Sequence, residues 1–169
     1  VIFDAYGPGC LFRQQMNIWG SKGIGTLSNT VRIKYYFDNE KVPRIDASVN
    51  DFFNGDYPLV DSPFAFKSAR QFAILYSPFT FQKRLKVVLS DTSITRLLKA
   101  NIDESQNWYQ YDYLTYPFGT NVTTWSPSKP NAYENKAKEQ WENLGKDPQS
   151  STGDQVLEGK VTIEPGSSA

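Results

Sequence analysis

The 169-residue sequence predicts an all-β protein, an antiparallel β-sandwich carrying one substantial helix. Three stretches, residues 11–19, 31–37 and 108–116, alternate in the period-two manner of half-buried strands. Only residues 131–144 carry an apolar stripe at helical spacing. Short strands at regular intervals with one helix are the pattern of a sandwich, and no linker or internal repeat divides the chain. Residues 1–169 are therefore expected to be a single β-sandwich domain.

In chain order, Val1-Ile2-Phe3-Asp4 already reads as a strand, with no initiator Met and no basic-then-apolar leader ahead of it. The expectation is a fragment of a larger protein. Gly7-Pro8-Gly9 sets a tight turn. Phe12, Met16 and Ile18 are predicted on one face of the next strand, with Arg13, Gln15 and Asn17 on the other. Ser21 to Gly25 reads as a flexible connection. The clearest hairpin follows, with Val31, Ile33, Tyr35 and Phe37 on one face and Arg32, Lys34 and Tyr36 on the other. Asp38-Asn39-Glu40-Lys41 turns the chain, and residues 42–49 return. Asp51-Phe52-Phe53-Asn54-Gly55-Asp56 reads as a loop.

Residues 63–76 and 81–89 read as two further strands, and Ser93 to Ala100 as either a helical turn or a strand. Trp108 to Tyr116 is an aromatic-rich strand. In the helix, Tyr133, Ala137, Trp141 and Leu144 form the stripe, which is expected to pack on a sheet. Glu134 and Lys138 form an i,i+4 pair, and Gly145 with Pro148 marks the C-terminus. Residues 146–154 are expected to form a mobile loop, and residues 156–164 a last strand.

Composition excludes several chemistries. Histidine is absent and Cys10 is the single cysteine, which removes Ser-His-Asp and Cys-His catalysis, His-containing zinc sites and any internal disulfide. No metal or cofactor is expected. Cys10 reads as a small buried residue, with pairing to a segment outside the chain as the alternative. Eighteen basic and eighteen acidic residues balance without a basic stripe, so neither nucleic acid nor an anionic membrane is an expected partner. No apolar run is long enough to span a bilayer. Asn121-Val122-Thr123 is an N-glycosylation sequon, which points to a secreted, extracellular glycoprotein and to an exposed Asn121.

Four stretches, in order, resemble one family. Asp4-Ala5-Tyr6-Gly7-Pro8-Gly9-Cys10-Leu11-Phe12-Arg13 is similar to its opening strand-turn-strand. Tyr36-Phe37-Asp38-Asn39-Glu40-Lys41-Val42-Pro43 resembles its central hairpin. Asp51-Phe52-Phe53-Asn54-Gly55 resembles an Asp-Phe-Phe-Gly loop with Asn54 inserted. Tyr76-Ser77-Pro78-Phe79-Thr80-Phe81-Gln82-Lys83 resembles a Tyr-x-Pro-Met-Pro-Phe-x-Lys strand, with Phe79 for Met and Thr80 for the second Pro. The family is glycoside hydrolase family 172, formerly domain of unknown function 2961. The resemblance is carried by residues 4–89, and residues 108–169 fit it only loosely.

The resemblance implies a jelly-roll sandwich that is half of a double jelly roll, assembled as trimers or pairs of trimers. A second chain carrying the other half is the alternative partner. It also implies action on α-linked furanosides of fructose or arabinose. The family's catalytic carboxylates lie around a Gly-Thr-Glu-Asp-Tyr-Phe motif that does not occur in this sequence, so the catalytic half is expected outside this chain. The runner-up is a non-catalytic structural or carbohydrate-binding jelly roll.

Among individual residues, Asp51, Phe52 and Phe53 form the candidate substrate-binding loop, a carboxylate for sugar hydroxyls beside rings for the sugar face. The favoured plainer reading has Asp51 capping the turn and both rings anchoring the loop. Asp38 and Glu40 either face a pocket or, as favoured, solvate the hairpin tip. Arg13 is expected to pair with a carboxylate across the sheet. Trp108, Tyr109, Tyr111, Tyr113 and Tyr116 are read as occupying both strand faces, which suits core packing plus a subunit contact better than a sugar platform.

Overall fold

The computed structural model describes residues 1–20, 23–54, 57, 60–67, 72–90, 109–127, 132–143, 145, 159, 160 and 162. For residues 19, 20, 23–26 and 132–134 that description covers the backbone alone. The elements are β1 (Phe3–Tyr6), β2 (Gly9–Met16), β3 (Trp19–Gly20), β4 (Gly23–Leu27), β5 (Arg32–Phe37) and β6 (Ile45–Ser48). Next come α1 (Val49–Phe53), β7 (Ala65–Lys67), β8 (Ala73–Leu75), β9 (Phe79–Phe81), β10 (Arg84–Ser90), β11 (Tyr109–Thr115) and α2 (Ala132–Glu142). The first sheet has the order β1-β10-β5-β6, and the second β11-β2-β8-β7 with β9 also on β2. All pairings are antiparallel, and β3 and β4 make a separate two-stranded ribbon. The chain steps between sheets at β1 to β2 and at β9 to β10, so both layers close on one core. The all-β, jelly-roll-like sandwich expected from the sequence is the fold.

The core comes from the period-two faces. Val31, Ile33, Tyr35 and Phe37 are fully buried, while Arg32, Lys34 and Tyr36 point outward. Leu85 and Val87 of β10 lie opposite Phe37 and Tyr35. Against them the second sheet sets Leu11, Met16, Ala73, Leu75 and Phe79. Phe79 is the centre of an aromatic cluster, with ring centroids 5.3 Å from Tyr35 and 4.7 Å from Trp125. A polar bond crosses the core, where the buried Tyr35 hydroxyl donates to Gln14 Oε1 at 2.6 Å. Burial pushes the Tyr35 phenol well up, so it stays protonated and remains a donor.

Several expectations need correction. Phe12 does not share the Met16 face; it is 41% exposed, while Leu11, Gln14 and Met16 point inward. Asp112 pairs with Arg13 but the next residue, Tyr113, pairs with Leu11. Phe12 is therefore an extra residue, and this β-bulge shifts the alternation by one position. The return of the hairpin is shorter than 42–49: Pro43 has no N–H to give, β6 begins at Ile45, and Val49 already opens α1. Residues 63–76 are not one strand but contain β7 and β8, paired with each other. Gly159, Lys160 and Thr162, within the expected last strand, have no regular structure. Ser93 to Ala100, Trp108, Pro148 and residues 146–154 lie outside the described residues.

The Gly7-Pro8-Gly9 turn has a steric cause beyond backbone freedom. A Cβ on Gly9 would sit 2.6 Å from Phe81 Cζ and 2.8 Å from the Leu114 carbonyl, and one on Gly7 would meet the Phe81 ring at 2.8 Å. Phe81 thus lies directly against the turn, and only glycine permits that approach. Helix α2 docks by Trp141, whose ring lies 4.8 Å from Tyr76 and 6.4 Å from Phe64. Lys138 of α2 pairs with Asp61 at 3.2 Å, a tertiary contact; the side chain of Glu134, its expected i,i+4 partner, lies outside the description. Gly145 follows with φ +86°, as a helix-terminating glycine should.

Candidate functional site

The segment Asp51-Phe52-Phe53 is helix, not loop. Ser48 is its N-cap and its Oγ accepts from the Asp51 N–H at 3.0 Å. Asp51 is thus not the capping side chain; it occupies the first turn, where a carboxylate suits the helix dipole, and it is exposed. Phe52 and Phe53 are 0% and 2% exposed, with Phe52 stacked on Tyr35 at 5.1 Å. Both rings are core, as the plainer reading held, and neither presents a face to a ligand. Of the three candidate residues, Asp51 alone reaches the surface.

The richer constellation lies at the β5–β6 hairpin tip. Asp38 and Asn39 have φ of 47° and 67°, and the Glu40 N–H donates to Phe37 O at 2.9 Å, a type I′ turn. Asp38 does far more than solvate that turn. Its Oδ1 accepts from the Lys83 N–H at 2.6 Å and the Arg84 N–H at 3.3 Å, and its Oδ2 from the Thr124 hydroxyl. Burial pushes its pKa up, but those hydrogen bonds outweigh burial and hold the carboxyl below its usual range. Glu40 accepts from the Phe37 N–H and pairs with Arg44 at 2.5 Å. Arg44 also donates to the Trp125 carbonyl and lies 4.8 Å from the Phe37 ring.

Beside this tip, Tyr36, Asn39, Glu40, Arg84 and Lys86 line a shallow groove on the outer face of the first sheet. Arg84 holds Asp4 with two bonds of 2.7 and 2.5 Å and lies 4.9 Å from the Tyr6 ring. Lys86 lies 4.6 Å from the Tyr36 ring. Among the described residues the remaining displaced carboxylates all move the same way. Asp4 is lowered by its hydrogen bond from Arg84, and Asp112 by that from Arg13 at 2.6 Å, the cross-sheet pairing expected for Arg13. In Asp46, burial raises the pKa but the bonds from Arg32 and Lys34 prevail.

Tyr109, Tyr111 and Tyr113 share one face of β11, and Tyr111 and Tyr113 pack toward Phe3 at 5.4 and 5.1 Å; Trp108, on which the two-faced reading also rests, lies outside the described residues. The tyrosine ladder closes an edge of the sandwich. Cys10 is buried, and burial pushes its thiol pKa up, which makes it a weak nucleophile. Asn121 is exposed and without regular structure, while its sequon backbone is anchored: the Val122 N–H donates to Gln82 Oε1 at 2.6 Å and Thr80 Oγ1 donates to Thr123 O at 2.7 Å. Among the described residues no helix is long and apolar enough to cross a membrane.

This arrangement is a β-sandwich in which Asp4, Asp38, Asp46 and Asp112 are held in structural bonds, and its family follows from comparison. The family model described as the GH172 first beta-sandwich domain matches residues 1–133. The chain belongs to the GH172 family and contains that family's first sandwich. No match was found among curated proteins.

Proposed function

We propose that this chain is the opening sandwich of a glycoside hydrolase acting on α-linked furanosides of the fructose or arabinose type, with the reacting carboxylates supplied from outside it. The family match over residues 1–133 carries the reading. The electrostatics supports it. A general acid for glycoside cleavage needs a carboxyl pKa raised toward the working pH. Asp4, Asp38, Asp46 and Asp112 are all lowered instead, each by hydrogen bonds that serve the fold. Retaining cleavage also needs two carboxyls about 5–5.5 Å apart across the sugar. Carbohydrate is then the natural partner, and a homo-oligomer or a second chain would bring the completing residues.

Activated aryl α-arabinofuranosides and α-fructofuranosides test the proposal. Residues 1–169 alone should cleave neither, and the complete protein should cleave at least one. In the complete protein, Asp51→Asn is expected to lower kcat/KM about ten- to a hundredfold, the size of one lost charge-assisted bond to a sugar hydroxyl. Unchanged kinetics would leave Asp51 as a first-turn residue of α1 only. A complete protein inert on both substrate classes would favour a structural or carbohydrate-binding jelly roll.

Secretion belongs to the same proposal. Asn121 is exposed on an anchored segment without regular structure, a geometry open to oligosaccharide transfer. Expressed through a eukaryotic secretory route, the protein should carry glycan at Asn121, and Asn121→Gln should remove one glycan's mass. Peptide mapping that finds only unmodified Asn121 would reject glycosylation at this position.

A further inference from the structure

We propose that the outer face of the first sheet, centred on Tyr36, Lys86, Tyr6 and Arg84, binds an acidic polysaccharide. The register places the participants. Asp4 lies opposite Lys86, Tyr6 opposite Arg84, Lys86 opposite Tyr36, and Lys34 opposite Asp46. Because side chains alternate across a strand, Arg84 and Lys86 on β10 join Arg32, Lys34 and Tyr36 on β5 along one outward surface. Two rings thereby flank a central cationic strand, and the groove between the hairpin tip and β10 gives the surface relief.

Charge selects the ligand class. Four cations, Arg32, Lys34, Arg84 and Lys86, share this face with two carboxylates, Asp4 and Asp46. Asp4 is held by Arg84 and Asp46 by both Arg32 and Lys34. Lys86 rests over the Tyr36 ring, and no carboxylate among the described residues pairs with it at ion-pair distance. Glu40, on the groove wall, is neutralised by Arg44. The face therefore keeps an excess of positive charge beside aromatic rings, Tyr6 being 69% exposed. A sugar ring supplies the flat apolar face that tyrosine stacks on, and a carboxylate or sulfate on that sugar supplies the counter-charge that Lys86 lacks. An exposed surface of single rings and single charges gains from repetition, which a polymer provides.

The test titrates the intact protein with polygalacturonate, dextran sulfate and uncharged dextran by calorimetry, at low and at high salt. Binding of polygalacturonate or dextran sulfate, weakened by salt and absent for dextran, is expected, and the arm that binds tells carboxylate from sulfate recognition. Lys86→Gln and Tyr36→Ala should each weaken binding about three- to tenfold. Lys136→Gln, an exposed charge on α2, should leave it unchanged. Far-UV circular dichroism confirms that the outward substitutions keep the fold. Wild-type affinity in Lys86→Gln, equal weakening by Lys136→Gln, equal binding of dextran, or no binding to either anionic polymer would each overturn the proposal. Because binding is read without turnover, its failure is separable from a failure of furanoside hydrolysis.

Discussion

Replacing Phe79 with alanine should destabilise the domain by about 3–5 kcal/mol, the range for removing a fully buried ring. Phe79 is completely buried, and its ring meets Tyr35, Phe37, Phe52 and Trp125 at 5.3, 6.0, 6.5 and 4.7 Å between centroids. Those neighbours belong to β5, α1 and the segment after β11, so one truncation opens a cavity shared by three parts of the fold. Phe79→Met is the informative partner, since methionine is what the family's related motif carries. A flexible thioether refills much of the space but loses the edge-to-face geometry, so a cost of about 1–2 kcal/mol is expected. Urea unfolding followed by circular dichroism measures both. A loss below about 1 kcal/mol for Phe79→Ala would show that the aromatic cluster collapses around the gap and is not a rigid centre.

The same position shows why the departures from the family pattern are coherent. Thr80, standing where a second proline is usual, pairs with Cys10 in the ladder, and its carbonyl accepts from the Trp125 N–H at 2.9 Å. Its hydroxyl donates to Thr123 O. A proline would keep that carbonyl but has no hydroxyl, so the threonine side chain adds a second anchor at Thr123, two residues before Trp125.

What the sequence disclosed follows from the reach of its signals. Period-two alternation placed Val31, Ile33, Tyr35 and Phe37 correctly because that strand pairs without interruption from Arg32 to Phe37. The same rule misplaced Phe12, because a bulge adds one residue without altering composition. Gln14 looks like a solvent-facing residue, yet it is fully buried, and its Oε1 finds its donor in Tyr35, 21 positions away. Helix α1 has five residues, too few for a helical period, although Ser48 with Asp51 three positions on is a start signal that can be read. Asp38 was legible as a turn residue from its tolerance of positive φ. Its larger role was not, because its partners lie 45, 46 and 86 positions away. The groove was hidden for a similar reason, as Arg84 meets Asp4 across 80 positions and only strand register brings them together.

Asp38→Ala should therefore cost about 3–4 kcal/mol, roughly 8–12 °C in Tm for a domain of this size. Alanine removes the acceptors for the Lys83 and Arg84 N–H groups and for Thr124, and it is placed at φ 47°, which it adopts poorly. Asp38→Asn keeps one carbonyl oxygen for the Lys83 and Arg84 N–H groups and tolerates the turn, so the charge and the acceptor for Thr124 are lost, at about 1 kcal/mol. The pH dependence separates charge from shape. Because the folded-state pKa of Asp38 is depressed, its ionisation stabilises the fold fully above the unfolded value near 3.8. That contribution fades as pH falls below this value and through the folded one. The gap between wild type and Asp38→Asn should thus stay constant from about pH 6 to pH 8 and narrow below about pH 4. Asp38→Ala should remain destabilised even there, since its turn strain and lost acceptors do not titrate. Chemical unfolding of the three proteins at pH 7 and pH 3.5 reads this directly. A gap to Asp38→Asn that widens on acidification would mean that Asp38 is protonated in the folded state, and the hub at the hairpin tip would then be held by its shape alone.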